Sequence, residues 1–559
     1  MLSQTSEKSI VRILGWGAPL VSILVLWGVV SDPVNAPKLF LLGAIAVSAV
    51  LIAVVFGYKL IWRDSKLIVI TLIVFLIFSV NSVVNSTSPL SQNLYGAYGR
   101  NTGFVAYLFL VLIFLSALTL RTRESFELIV KGLMAAGIVN VIYCLWVIIF
   151  GDFIGWTNPY GNILGTFGNP NFIGAFLGMV VSVFFAFIAA PGVSIKLRLI
   201  GLALIAVTLF EIQDSNAIQG IVVAAGGFSL VGLYRIRAKF ESNVPVFLYL
   251  SVIAIGGGFS IAGALQKGPL TELIYKTSVS LRGEYWQAGI NMSKEFPLTG
   301  VGMDSYGDWF RRARDASALV LPGPNTVTNA AHNVNLDLLA FGGWPLFISY
   351  LCILLLGAVS IFKVFIRSRG YDWVFVSLSI AWICYQVQAL ISINQIGLAI
   401  WGWLLTGAVI AFEISTRDSK VEKSSKIKVG YTGQNISPQL VGGIGLVIGA
   451  LLAVPPLSAD SRWRSALQSQ SLEQIELALT PSYLNPANTA KYAEAVQTFE
   501  SSKLPDLAYK YAKLSIEFNP DAFDSWKLLY LISKSTEEDK KLALSNMKRL
   551  DPLNPNVLG

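Results

Sequence analysis

Histidine occurs once in this 559-residue chain, at His332, with Asn333 and Asn335 close behind it. An imidazole, with an unperturbed pKa of about 6.5, is the natural proton acceptor for a hydroxyl near neutral pH. Two arginines stand out, Arg100 as the only arginine of its short loop. Arg282 sits in Ser280-Leu281-Arg282-Gly283-Glu284-Tyr285-Trp286, and Arg100 in Tyr98-Gly99-Arg100-Asn101-Thr102-Gly103. A guanidinium stays charged and binds phosphate oxygens in a two-pronged fork. One base and two anion-binding forks are the parts of a transfer reaction with a phosphate leaving group. The plainer alternatives are a surface arginine or a local ion pair, with Glu284 the obvious partner for Arg282. Arg311, Arg312 and Arg314 form a third basic cluster, which reads as a solvated face or a lipid-headgroup contact.

The segment Gly165-Thr166-Phe167-Gly168-Asn169-Pro170-Asn171-Phe172 is a turn leading into a helix, which Asn171 can cap. No Asp-x-Asp pair and no second histidine accompany these residues, so neither a metal nor any other cofactor is expected. No glycine loop ending in Lys-Ser/Thr suggests ATP. Cys144, Cys352 and Cys384 lie in apolar stretches and read as small buried hydrophobes.

What must hold these residues is a membrane bundle. Only 13% of residues are charged and the mean hydropathy is +0.62, against about 25% charged in soluble domains. Thirteen apolar stretches are long enough to be candidate spans, near 11–31, 38–57, 67–84, 103–120, 126–149, 171–190, 197–213, 217–234, 245–265, 334–362, 373–391, 394–413 and 438–457. The first has no clear cleavage site after it and reads as a retained span. Lys and Arg alternate from loop to loop. One set holds 21, from Lys8 and Arg12 to Arg417, Lys420, Lys423, Lys426 and Lys428, and the other short loops hold only Lys38 and Arg100. By the positive-inside rule the N-terminus is cytoplasmic, while the loop at 266–333 and the C-terminal tail lie outside. The net charge of +9 is thus an orientation signal and not a nucleic-acid footprint: residues 458–559 hold 12 Lys+Arg against 13 Asp+Glu.

The 266–333 loop is rich in aromatic residues and able to pack, and a long loop of that kind is usually functional. The tail carries a repeat. Leu484-Asn485-Pro486 recurs as Phe518-Asn519-Pro520, 34 residues on, and Leu550-Asp551-Pro552 follows after 32 more. That period resembles a tetratricopeptide repeat, the alternative being a plain helical hairpin domain. The expected fold is therefore all-α: a polytopic membrane bundle over 1–457 and a small extracytoplasmic helical domain over 458–559.

Taken in order, five motifs resemble the O-antigen ligase and polymerase superfamily of bacterial membrane glycosyltransferases. They are the 94–103 segment; Gly165 to Asn171; Arg282 with Tyr285-Trp286; Pro297-Leu298-Thr299-Gly300-Val301-Gly302; and His332-Asn333 opening a span that continues to Gly342-Gly343. The resemblance covers most of residues 90–413. It implies a type C glycosyltransferase fold in the bacterial cytoplasmic membrane. The implied activity is metal-independent transfer of a glycan from an undecaprenyl-diphosphate carrier to an acceptor hydroxyl on a glycan, lipid or protein. It also implies His332 as general base, and Arg282 and Arg100 on the diphosphate. Trp286, Asn333, Asn169 and Asn171 are expected near substrate, membrane lipid around the bundle, and a protein partner is open for the tail. The chain departs from the family where many relatives carry a Glu after the histidine; Leu339-Ala340-Phe341 has no carboxylate, and Asp337 could replace it in orienting His332. A polymerase is the near alternative. A flippase is disfavoured by spans almost free of charge, and a non-enzymatic scaffold leaves His332 and Arg100 without a reason.

Overall fold

The computed structural model describes residues 3–275, 277–418 and 436–558, which excludes Lys420, Lys423, Lys426 and Lys428 of the last basic loop. Among the described residues every regular element is helical. The bundle comprises α1 (Gln4–Ile23), α2 (Asn35–Val84), α3 (Leu90–Tyr95), α4 (Phe104–Ala117), α5 (Arg123–Phe150), α6 (Pro170–Ile188), α7 (Ile195–Asp214), α8 (Ile218–Lys239) and α9 (Val244–Ala264). The long loop folds into α10 (Thr271–Ile274), α11 (Thr277–Glu295), α12 (Tyr306–Ala313) and α13 (Ser317–Val320). Then come α14 (Val334–Arg367), α15 (Trp373–Ala389), α16 (Ile396–Asp418) and α17 (Pro438–Ser469). The tail adds α18 (Leu472–Leu479), α19 (Thr489–Ser501), α20 (Pro505–Phe518), α21 (Phe523–Leu531), α22 (Glu537–Leu550) and α23 (Pro555–Leu558).

Eight of these helices, α2, α5, α6, α8, α9, α14, α16 and α17, are long and apolar enough to cross a membrane; α4 and α15 are shorter apolar helices. This is the make-up of a helical membrane protein. The stretches expected at 38–57 and 67–84 both belong to α2, whose helical dihedrals break at Ser65. A straight 50-residue helix is about 75 Å long, yet Ala36, in its first turn, and Ser91, in α3 shortly after its end, line one cleft. The chain therefore folds back at Ser65, beside Asp64, whose carboxylate meets both Arg63 and Arg121.

The stretch expected at 11–31 needs correction. Helix α1 ends at Ile23, and residues 24–34 form a turn-rich loop with Gly28 at φ +81°. An apolar run by itself does not distinguish helix from packed loop. Lys38, expected in an outer loop, is fully buried. Its ammonium donates to the carbonyls of Val21 at 2.9 Å and Ser22 at 2.5 Å, satisfying the orphan acceptors at the end of α1.

Helix α14 is broken at Gly342 and Gly343. Residues 297–302 dock into the break: Val301 N donates to Ala340 O, Gly302 N to Phe341 O, and Trp344 N to Pro297 O, each at 2.9–3.0 Å. Gly343 has φ +66°, and a Cβ there would stand 2.4 Å from Pro297 O. Two motifs read separately in the sequence are thus the two halves of one backbone joint, which fixes the first two turns of α14 and the residues preceding them.

The tail has its own apolar core, from Trp463 to Val557, distinct from that of the bundle. Helix α17 runs unbroken through Pro455 and Pro456, across the boundary expected at 457. The three residues at repeat phase, Asn485, Asn519 and Asp551, are all buried. Two of them reach out of the tail. Asn519 donates to Asp308 at 3.2 Å, and Asp551 accepts from Arg311 at 3.0 Å and Arg314 at 2.6 Å. The cluster read as a solvated or headgroup face is instead the clamp between α12 and the tail, with Arg312 on Asp521 at 3.3 Å. Carboxylates 200 residues downstream supply the counter-charges, so local composition gave no sign of them.

Candidate functional site

Five loops and four helices contribute to a cleft of about 640 Å³. Its wall includes Trp27 and Asp32 from the loop after α1, Arg100 from the loop after α3, and Asn169 and Asn171 at the start of α6. It also includes Arg282 of α11, His332, and Arg464 of α17. Five residues singled out in the sequence, from segments far apart in the chain, therefore share one cavity.

His332 is held from both sides. It has φ +54°, a left-handed backbone that non-glycine residues seldom adopt. Before it, Ala331 N donates to Asp337 Oδ1 at 2.7 Å; after it, Asn333 caps α14, its Oδ1 accepting from Asn335 N at 3.0 Å and Leu336 N at 3.3 Å. The imidazole lies 5.6 Å from the ring of Tyr285, and no hydrogen bond to it is present among the described residues. Burial, with the positive charges of Arg282 and Arg100 adding to it, pushes its pKa down to about 4. The ring is neutral at physiological pH and can accept a proton. Asp337, expected as its orientation partner, acts on the backbone before it and not on the ring.

The two arginines differ. Arg100 is 5% exposed, lies 3.3 Å from the buried Asp304 and donates to Asn329 O, so its charge is already matched. Arg282 has no ion pair among the described residues: Glu284 instead accepts from Ser317 Oγ at 2.7 Å. Burial pulls the Arg282 pKa down, the direction expected of a cation short of counter-charge. An anion entering the cleft would supply it.

Asn169 and Asn171 line the cleft, but their roles at the helix start are exchanged relative to expectation. Asn169 is the cap, its Oδ1 accepting from Asn171 N at 2.9 Å, because Pro170 takes the first helical position and holds the residue before it extended. Two expected substrate residues lie off the cleft. Trp286 packs against the bundle core, and Asn333 is buried with its side chain engaged in capping. Two charged residues of the cleft were not read from the sequence. Arg464 sits beyond the last apolar stretch and donates to Gly28 O at 3.1 Å. Asp32 turns the chain into α2, accepting from Val34 N and Asn35 N at 3.0 Å, and burial raises its pKa. Its place just after an apolar run and before Pro33 was the available signal. No group of three or more His, Cys, Asp or Glu able to hold a metal ion occurs among the described residues.

No known family model matches the chain, and no curated protein matches it.

Proposed function

We propose that this protein is an O-antigen ligase-like glycosyltransferase of the bacterial cytoplasmic membrane. It crosses the bilayer thirteen times with its N-terminus inside and its tail outside. It moves a glycan from an undecaprenyl-diphosphate carrier to an acceptor hydroxyl. The observation that carries the reading is the pairing, in one cleft, of a neutral His332 with Arg282, which has no ion pair among the described residues. His332 takes the proton of the acceptor hydroxyl as its oxygen bonds to the anomeric carbon. The bond from that carbon to the diphosphate breaks, and the electron pair leaves with the diphosphate. Arg282, with Arg464 nearby, stabilises the charge that grows there. Arg100, matched by Asp304, positions the loop more than it binds.

The test is glycan transfer in membranes of a deletion strain carrying wild type, His332→Ala or Arg282→Ala, with protein level and donor pool followed together. Loss of product with normal expression and an accumulated lipid-linked donor supports the reading. Undiminished transfer in both variants overturns it.

A further inference from the structure

A second cleft, of about 330 Å³, lies between α12 and the tail helices α19 and α21. This is within the range of small-ligand pockets, roughly 300–1,000 Å³. It adjoins the first: Tyr98 and Asn329 line both, and the Arg100–Asp304 pair stands at the divide, Arg100 on one side and Asp304 on the other.

The two compartments differ in charge. The first presents Arg282, Arg464 and Arg100 against Asp32, and Arg282 has no ion pair among the described residues. In the second, the cations are engaged: Lys491 donates to Ala459 O at 2.7 Å, and Arg311 is bound to Asp551 and lies 4.1 Å over the ring of Phe523. Carboxylates outnumber them, with Asp304, Asp308, Asp460 and Asp524 on the wall against Lys491 and Arg311; Asp308 accepts from Ser88, Gln92 and Asn519, and Asp524 lies 3.9 Å from Arg311. Such a surface repels a diphosphate. Aromatic rings beside amides and carboxylates, which accept hydrogen bonds from hydroxyls while the rings cover C–H faces, suit an uncharged, hydroxyl-rich chain.

We propose that the second cleft binds a saccharide acceptor, so that the tail forms half of the acceptor site and the hydroxyl reaches His332 past Tyr98 and Asn329. This rests on the transferase reading above. The tail is then neither a spacer nor only a partner-docking module.

The test uses the full chain reconstituted in nanodiscs with lipid-linked donor. Ala490 is exposed, lies on α19 and lines the second cleft; Glu538 is exposed on α22 away from it. Ala490→Cys and Glu538→Cys are each assayed with and without fluorescein maleimide, and photo-crosslinking of a polyprenyl-diphosphate probe reports the first cleft. The expected result is that labelling cuts transfer by Ala490→Cys about tenfold or more, leaves its crosslinking intact, and does not change the rate of Glu538→Cys. Equal rates for labelled and unlabelled Ala490→Cys overturn the proposal. So does loss of crosslinking with the label, or a lost product that is a glycosylated protein. If transfer does not depend on His332, checked with His332→Ala in the same nanodiscs, the transferase reading falls and the proposal with it.

Discussion

Arg314 and Asp551 are separated by 237 positions in the chain, yet their side chains meet at 2.6 Å with neither exposed to solvent. Asp551 occupies the third position of the tail repeat, so the repeat register decides where its charge falls. Removing one member of a buried pair costs about 3–5 kcal/mol, because the other is left unpaired. Asp551→Ala, which also removes the nearer carboxylate of Arg311 and leaves it only Asp524 at 3.9 Å, is expected to free the tail from α12 while the bundle stays folded. Limited proteolysis in membranes would show rapid trimming of the tail; wild-type resistance would mean that the clamp is not what holds it.

Substitution of the two cleft residues separates charge from geometry. His332→Ala should lower transfer about 10²- to 10⁴-fold, the usual contribution of a general base. Arg282→Ala should lower it about 10²- to 10³-fold, as loss of one charge-stabilising donor does. Arg282→Lys keeps the charge but loses the fork, and its rate should fall between Arg282→Ala and wild type. A lysine variant at the wild-type rate would reduce Arg282 to a point charge.

The pH profile follows from His332. The neutral ring is the active form and is present above its pKa, which lies at about 4 in the free protein. The ratio kcat/KM, which reports the free enzyme, should be flat from alkaline pH down through the ordinary histidine range and fall only as pH drops through about 4. A bound diphosphate adds negative charge beside the ring and raises its pKa, so kcat should fall at a higher pH than kcat/KM. A break in kcat/KM near 6.5, the unperturbed histidine value, would contradict the environment described for His332.

Gly343→Ala places a methyl group 2.4 Å from Pro297 O at a backbone angle of φ +66°. The backbone strain alone costs about 1–3 kcal/mol, and the clash adds to it. Thermal unfolding in detergent should begin at lower temperature, with transfer reduced because the joint sets the start of α14. Gly226→Ala, where a Cβ meets nothing within 4 Å, is the matched control and should unfold as wild type does.

The sequence revealed most where local pattern decides the outcome. Apolar runs located the bundle helices, since each follows from its own residues. His332, Arg282 and Arg100 stood out by residue type and place in an apolar chain, whereas Asn169 and Asn171 were marked only by the resemblance. What escaped depended on distant partners. Arg311 and Arg314 looked like surface charge because Asp551 is supplied from the far end of the chain. Lys38 looked like a loop charge because its acceptors are carbonyls freed by the end of α1, a boundary the apolar run 11–31 concealed. Trp286 and Asn333 were expected near substrate from the resemblance, whereas in the structure Trp286 packs against the bundle core and Asn333 caps α14.

Helix α17 joins bundle to tail without a linker, and in the bundle it presses against α2 so closely that Gly449 and Gly43 have no room for a side chain. It is a driveshaft. Each added residue would turn whatever lies beyond it by about 100° and advance it about 1.5 Å. A single alanine inserted after Trp463 would therefore swing the tail around the shaft and carry Asp551 away from Arg314. Four alanines would bring the angle nearly back to its starting value, at the cost of an axial shift of one turn. The angular phase of one helix thus sets how the half of the cleft on the tail is aimed at the half on the loops.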